Sequence, residues 1–207
     1  MCGIWAYSGK NFNKYKFNIL GIFNDSRGGD SCGLFLSNKK KKQIGYGADK
    51  TKLYSEYIAS GVELDFENIN FALGHARKAS VGGIGWAQAQ PVVIKDDNDK
   101  VKFVMIHNGT ITNFRELARK YNVKFEYTET DSQVFARIVY LNGYDVIKEY
   151  DGAGAFMFWD SRDGNDTIKV FKGASLYYQF DDELYIERPL FFCMNKESIY
   201  ISSIESS

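Results

Sequence analysis

The stretch "VKFVMIHNGTITNFREL", residues 101–117, decides how the chain folds. Its first six residues, apart from Lys102, are apolar and rich in β-branched types, which reads as a strand. Asn108 and Gly109 end that strand, and a helix signal follows at once, with Asn113 three residues before Glu116 at capping-box spacing. Upstream, "PVVIK" and "VKFVMI" flank the turn-forming "DDNDK", so the strand is the second arm of a hairpin.

The same pattern recurs outward in both directions. "GAFMFWD" and "TIKVFKG" flank "SRDGND", and "LFFCM" and "SIYISS" flank "NKE". Helices are expected between these pairs. "TDSQVFARIVYLNG" has Thr130 three residues before Gln133, a second capping-box spacing, an apolar stripe of Val134, Ile138 and Leu141, and Gly143 as C-cap. "KFNILGIFNDS" and "LYSEYIASG" are weaker helix signals. Hairpins mixed with segregated helices predict an α+β fold with helices packed on stacked antiparallel sheets.

Composition is that of an ordinary globular chain. The 207 residues are 44% hydrophobic and 25% charged with a formal net charge of zero, which speaks against nucleic acid or an anionic membrane as the main partner. The run Lys39 to Lys42 lies between "GLFL" and "QIGYGA" and reads as a solvated hairpin loop rather than a phosphate-contacting patch. The start "MCGIWAYSGK" has no charged leader ahead of a long apolar segment, and no apolar run is long enough to span a bilayer. Cys2, Cys32 and Cys193 are odd in number and widely spaced, unlike a disulfide framework, so a reducing cytoplasm is the expected setting.

Metal chemistry finds no support in the spacing of His75, His107 and the three cysteines, which form neither Cys-x-x-Cys nor His-x-x-x-His patterns. Each histidine ends an apolar strand, "FALGH" or "FVMIH", where a satisfied structural imidazole is commoner than a general base. Cys2 has a separate route to reactivity. Removal of Met1 would give it a free α-amino group with a reference pKa of about 7.7 to 8.0, able to take the proton of its own thiol. By itself a cysteine near a terminus is most often packing.

Three further stretches carry chemistry. "RGGDSCG" (Arg27 to Gly33) combines an Arg, an Asp and three glycines in seven residues, a turn that lets backbone approach closely. "GHARKAS" (Gly74 to Ser80) leads from a strand into "VGGIGW", a glycine-rich loop with the freedom of a lid. At Asn108–Gly109 a side-chain amide and a backbone N–H can converge as an oxyanion hole, although Asn-Gly alone is more often a turn.

Together "MCGI", "RGGDSCG", "GHARKAS", "HNGTITNFREL", "TETDSQV", "DGAGAFMFWD" and "IYISSIESS" resemble, in order, the glutaminase domain of class II glutamine amidotransferases. That family belongs to the N-terminal nucleophile hydrolases. The resemblance covers essentially all of residues 1–207 as a single domain, with no acceptor or synthetase domain within it. It implies an αββα sandwich and hydrolysis of L-glutamine to glutamate and ammonia with no metal or organic cofactor. Cys2 would be the nucleophile, forming a γ-glutamyl thioester; Asn108 and Gly109 would hold the oxyanion. Arg77 would grip the α-carboxylate with help from Ser80, Asp131 would pair with the α-ammonium, and Arg27 would brace the loop beside the nucleophile. An ammonia-accepting synthetase or transferase domain or subunit is the implied partner. Cys32 and Cys193 read as structural.

Two positions depart from the family pattern. Lys78 stands where several members carry a large apolar or aromatic residue in the loop over the glutamine site, and Gly29 replaces a proline or aromatic. A stand-alone γ-glutamyl amidohydrolase would use the same machinery. A catalytically silent glutamine-sensing or docking module would not need to keep Cys2, Asn108, Gly109, Arg77 and Asp131 together. An N-terminal-cysteine acylase acting on bile-acid conjugates or penicillins would share the "MC" start but gives no account of "RGGDS" and "HNG" together.

Overall fold

Antiparallel pairing organises most of the strand segments into two large sheets in the computed structural model, which describes residues 1–61, 64–80, 85–162, 164, 166–173, 175–179, 182–186 and 188–205. In chain order the elements are β1 (Gly3–Gly9), α1 (Lys14–Asn24), β2 (Ser31–Ser37), β3 (Lys42–Gly47), α2 (Tyr54–Ala59) and β4 (Phe71–Arg77). There follow β5 (Val92–Lys95), β6 (Val101–Gly109), α3 (Phe114–Lys120), α4 (Asp131–Asn142), β7 (Gly154–Asp160) and β8 (Thr167–Gly173). The chain closes with β9 (Ser175–Gln179), β10 (Asp182–Ile186), β11 (Phe191–Met194) and β12 (Ser198–Ser202). One sheet has six strands in the order β11-β12-β1-β4-β2-β3, the other four in the order β5-β6-β7-β8, and β9 and β10 form a separate hairpin.

Three apolar layers hold these elements together. Ile4 and Ala6 of β1, Phe35 of β2 and Leu73 of β4 meet Val104, Ile106, Met157 and Trp159 between the two sheets. The alternate residues Trp5, Tyr7, Leu34 and Leu36 point outward onto Phe17 and Leu20 of α1 and Tyr54 and Tyr57 of α2. On the far side Phe103, Met105, Phe156 and Phe158 pack under α3 and α4. Because each sheet is covered on both faces, strands such as "IWAY" and "AFMFW" are apolar throughout rather than alternating with polar residues. The result is a four-layer αββα sandwich.

All three expected hairpins form, as β5/β6, β7/β8 and β11/β12. The lysine run caps a fourth, in which Ser37 pairs with Lys42 and the Asn38 side chain accepts from the Lys40 and Lys41 N–H groups. Both weaker helix signals are helices, α1 and α2. The Thr130–Gln133 capping box is present, and α4 ends at Gly143 with φ 87°.

Some local expectations give way. Leu141 is 65% exposed; Phe135 and Val139 instead join Val134 and Ile138 in the core, because the apolar face of α4 turns toward the sheet and α3. The Asn113 side chain does not cap α3. Its amide spans the loop before β7, donating to the Glu149 carbonyl and accepting from the Asp151 N–H, each at 2.9 Å. Cys193, expected to be structural, lies exposed on the edge strand β11. Most of "VGGIGW", residues 81–84, lies outside the described residues. Among the described residues no helix is long and apolar enough to cross a membrane.

Candidate active site

Antiparallel pairing of β1 with β4 sets Gly3 opposite Ala76, and this brings Cys2 beside the end of β4. The Lys78 N–H donates to Cys2 Sγ at 3.4 Å, and the thiol lies 3.4 Å from the Lys78 carbonyl, which it can donate to in turn. Burial pushes the thiol pKa up; the Lys78 N–H, the chain terminus and Arg77 oppose the rise, and Asp131 adds to it. A thiol in this setting needs a base close at hand.

Cys2 shares a small cavity with Arg77, Ser80, Gly109 and Asp131. Arg77, last in β4, is 3% exposed, and Asp131, first in α4, is 4% exposed. The Ile111 N–H donates to Asp131 Oδ2 at 2.8 Å. Burial raises the Asp131 carboxyl above the ordinary range against the pull of N–H donors from Ile111 and Ser132. Burial likewise lowers Arg77, which the Cys2, Asp30 and Asp131 charges offset. A buried cation and a buried anion thus line the same cavity as Cys2, an arrangement that could meet the two charges of a zwitterion. Ser80 Oγ lies at the rim, 3.5 Å from Thr110 Oγ1.

Asn108 is fully buried, yet neither its Oδ1 nor its Nδ2 has a protein partner. Leaving such a group unsatisfied costs about 1 to 3 kcal/mol, which a fold tolerates where a ligand completes the bonds. Asn108, Gly109 and Cys2 line one cavity of about 110 Å³. Gly109 has φ 155°, and a Cβ there would stand 2.1 Å from the Ala153 carbonyl oxygen, so only glycine fits beside β7.

Arg27 sits in a helical turn (Asp25–Arg27) after α1 and donates to the Ser203 carbonyl at 2.6 Å and to Met1 Sδ at 3.8 Å. Ser203 in turn bonds both the N–H and the carbonyl of Ile4, so Arg27 ties the terminus after β12 to the start of β1.

Several residues at the site went unassigned in the sequence. Asp30 Oδ2 accepts from the Ala79 N–H at 2.8 Å, and Oδ1 lies 3.6 Å from Lys78 Nζ, so it pins the segment that contacts the thiol. Its place inside "RGGDS" was the available signal. Gln90 accepts from the His107 N–H at 2.7 Å and donates to Ser132 Oγ at 3.3 Å, with no local signal in the sequence. Arg188 lines the Cys2 and Asn108 cavity from the segment ahead of β11. Both histidines are structural: His107 bonds Ser132 Oγ at 2.9 Å and stacks on Phe156, and His75 Nε2 meets the His107 carbonyl at 3.1 Å. Burial lowers both to about 3, so both are neutral at neutral pH. Cys32, buried in β2, is pushed up to about 12 by burial and is inert. Among the described residues no three His, Cys, Asp or Glu side chains converge as metal ligands.

The model of the glutamine amidotransferase domain family matches residues 61–205. A Methanocaldococcus jannaschii protein named as a glutamine-hydrolysing asparagine synthetase is 27% identical over 195 residues, covering 90% of this chain and 33% of the relative. A Streptococcus pyogenes glutamine–fructose-6-phosphate aminotransferase is 28% identical over 192 residues, covering 84% of this chain and 29% of the relative. The chain therefore spans about a third of the length of these curated relatives. In fold it is similar to the glutamine phosphoribosylpyrophosphate amidotransferase of B. subtilis, with a TM-score of 0.71 over 98% of this chain and 42% of that one at 19% identity. Since the family match runs from before β4 through β6 and α4 to β12, taking in most of the cavity wall, the chain belongs to the class II glutamine amidotransferase domain family.

Proposed function

We propose that this domain hydrolyses the side-chain amide of L-glutamine and supplies the ammonia to a synthetase or transferase domain or subunit, in the cytoplasm. The observation that carries the reading is the buried, unpartnered Asn108 amide beside Cys2, with Arg77 and Asp131 lining the adjoining cavity.

Met1 is 61% exposed, which favours its removal by an aminopeptidase. Once it is removed, the neutral α-amine of Cys2 takes the thiol proton, and the sulfur attacks the amide carbon of glutamine. Charge gathering on the amide oxygen is received by Asn108 Nδ2 and the Gly109 N–H, each such donor being worth about 2.7 to 4 kcal/mol in the barrier. Collapse of the tetrahedral adduct breaks the C–N bond, the α-ammonium returns its proton, and ammonia leaves. Water then attacks the γ-glutamyl thioester with the amine again as base, releasing glutamate and the free thiol.

Arg77 and Ser80 hold the α-carboxylate and Asp131 the α-ammonium, so free glutamine is selected over a glutaminyl side chain in a protein. The Lys78 N–H, already directed at Sγ, stabilises the thiolate as it forms. Lys78 carries its side chain to Asp30, so it does not supply the apolar cover that several members have there.

The test is intact mass before and after incubation with a diazo-ketone analogue of glutamine. Loss of one methionine and a single adduct on Cys2 supports the reading; a retained Met1 with no adduct overturns it in favour of a silent sensing or docking module.

A further inference from the structure

Among the described residues, five of the ten exposed large apolar side chains lie around one sheet edge. Ile22 and Phe23 of α1 and Phe191, Phe192 and Met194 of β11 are 48%, 51%, 37%, 53% and 71% exposed. Between α1 and β11 runs a groove, about 300 Å³ at its Met194 end, floored by Leu20 and Tyr200. Phe191 and Cys193 lie on the α1 side of the strand, and Phe192 and Met194 lie on the other side with their partners Ile201 and Ile199, so apolar surface is exposed on both sides of this edge, which marks an interaction site more often than chance exposure.

Among the described residues nothing guards the strand. β11 is the outermost strand of the six-stranded sheet, and among the described residues only β12 pairs with it. Edge strands usually carry charge that discourages pairing, lysine above all. The other three edges of the two large sheets do: β3 has Lys42, β5 has Lys95, and β8 has Lys169 and Lys172. β11 reads "FFCM" and has no charge and no proline.

We propose that β11 pairs antiparallel with β11 of a second copy of this chain, joining two six-stranded sheets across a two-fold axis. Charge at the ends of the groove selects this occupant. Glu205 flanks the Phe191 end and Lys16 flanks the Met194 end. A two-fold axis through the middle of an antiparallel β11 pair sets the Phe191 end of one copy against the Met194 end of the other, so each Glu205 approaches the opposite Lys16. The surface is therefore complementary to itself, as an isologous interface requires. A net charge of zero adds no long-range repulsion between copies. Backbone groups of alternate β11 residues, turned away from β12, gain partners, while Phe192 and Met194 leave water. The interface is remote from Cys2 in sequence and rests on none of the site assignments.

Sedimentation velocity over a concentration series reads the outcome. The unaltered chain is expected to be a reversible dimer. Phe192→Lys should raise the dimer dissociation constant about 30-fold or more, the scale of a lost interface anchor, with unchanged far-UV circular dichroism. Lys16→Glu and Glu205→Lys should each weaken the dimer about tenfold, and the two together should restore it, because the pairs re-form with reversed sign. A chain that stays monomeric throughout overturns the proposal, including the case in which a different domain covers this face. So does a dimer indifferent to Phe192→Lys, or a double reversal that fails to restore association.

Discussion

Asn108→Leu separates a residue kept for catalysis from one kept for the fold. Leucine has the same branching at Cγ and carries no polar atom, so it removes two buried groups that lack protein partners. Relief of that burial should stabilise the chain by about 1 to 2 kcal/mol. For a chain of this size that is a rise in the melting midpoint of roughly 3 to 6 °C. The oxyanion loses one donor while the Gly109 N–H remains, so kcat for glutamine hydrolysis should fall about 100-fold to 1,000-fold with little change in KM. The assay is glutamate release from glutamine alongside thermal denaturation of the same preparations. Opposite signs in the two measurements are required. A variant that melts lower would make Asn108 a structural residue, and one that keeps its kcat would remove it from the oxyanion site; either result refutes the reasoning.

Arg77→Lys keeps the charge but not the planar fork, so KM for glutamine should rise about tenfold or more while kcat changes less; an unchanged KM would show that the clamp is misassigned. Asp30→Ala removes the acceptor of the Ala79 N–H and should lower kcat about tenfold to 100-fold by loosening the segment that holds Cys2. Lys78→Met, which loses only the ion pair to Asp30, should stay within about threefold of the parent, and equal losses in the two variants would place the effect in the ion pair instead. Burial alone would raise the Asp160 carboxyl, but hydrogen bonds from the Arg162 side chain and backbone and from Tyr144 hold it down at about 2. The folded-state value lies below the unfolded one of about 3.9, so this contribution, about 2 kcal/mol, is full above pH ~4 and is lost as pH falls toward ~2. The melting-midpoint gap between the parent and Asp160→Asn should close across that window; a gap independent of pH would refute it.

Local chemistry alone determined most of the secondary structure. Turn residues between apolar runs fix hairpins over a few residues, and the Thr130–Gln133 box and Gly143 fix the ends of α4, because those bonds close within one turn of chain. β1 lies outside these local signals: Ile4 and Ala6 face one apolar layer and Trp5 and Tyr7 the other only because the segment pairs with β4 and β12. The ordered motifs were enough to point to the family, since each carries its own glycine or polar signature. They could not say which side chains meet.

Only the tertiary structure decided that, through register and layer stacking. Cys2 reaches Arg77 and Lys78 because Gly3 pairs with Ala76; a slip of one residue would turn every β1 side chain to the other face. Asp131 joins them from α4, on the other side of the second sheet, held by the Ile111 N–H. Asn113 left its helix cap for the loop before β7, Leu141 turned to solvent, and Asp30 reached across to Ala79, each through a partner more than twenty-five residues away or a face set by packing. Cys193 and its apolar neighbours looked like core because composition cannot distinguish a central strand from an edge. That distinction depends on which strand lies alongside, and strand order is a property of the folded chain alone.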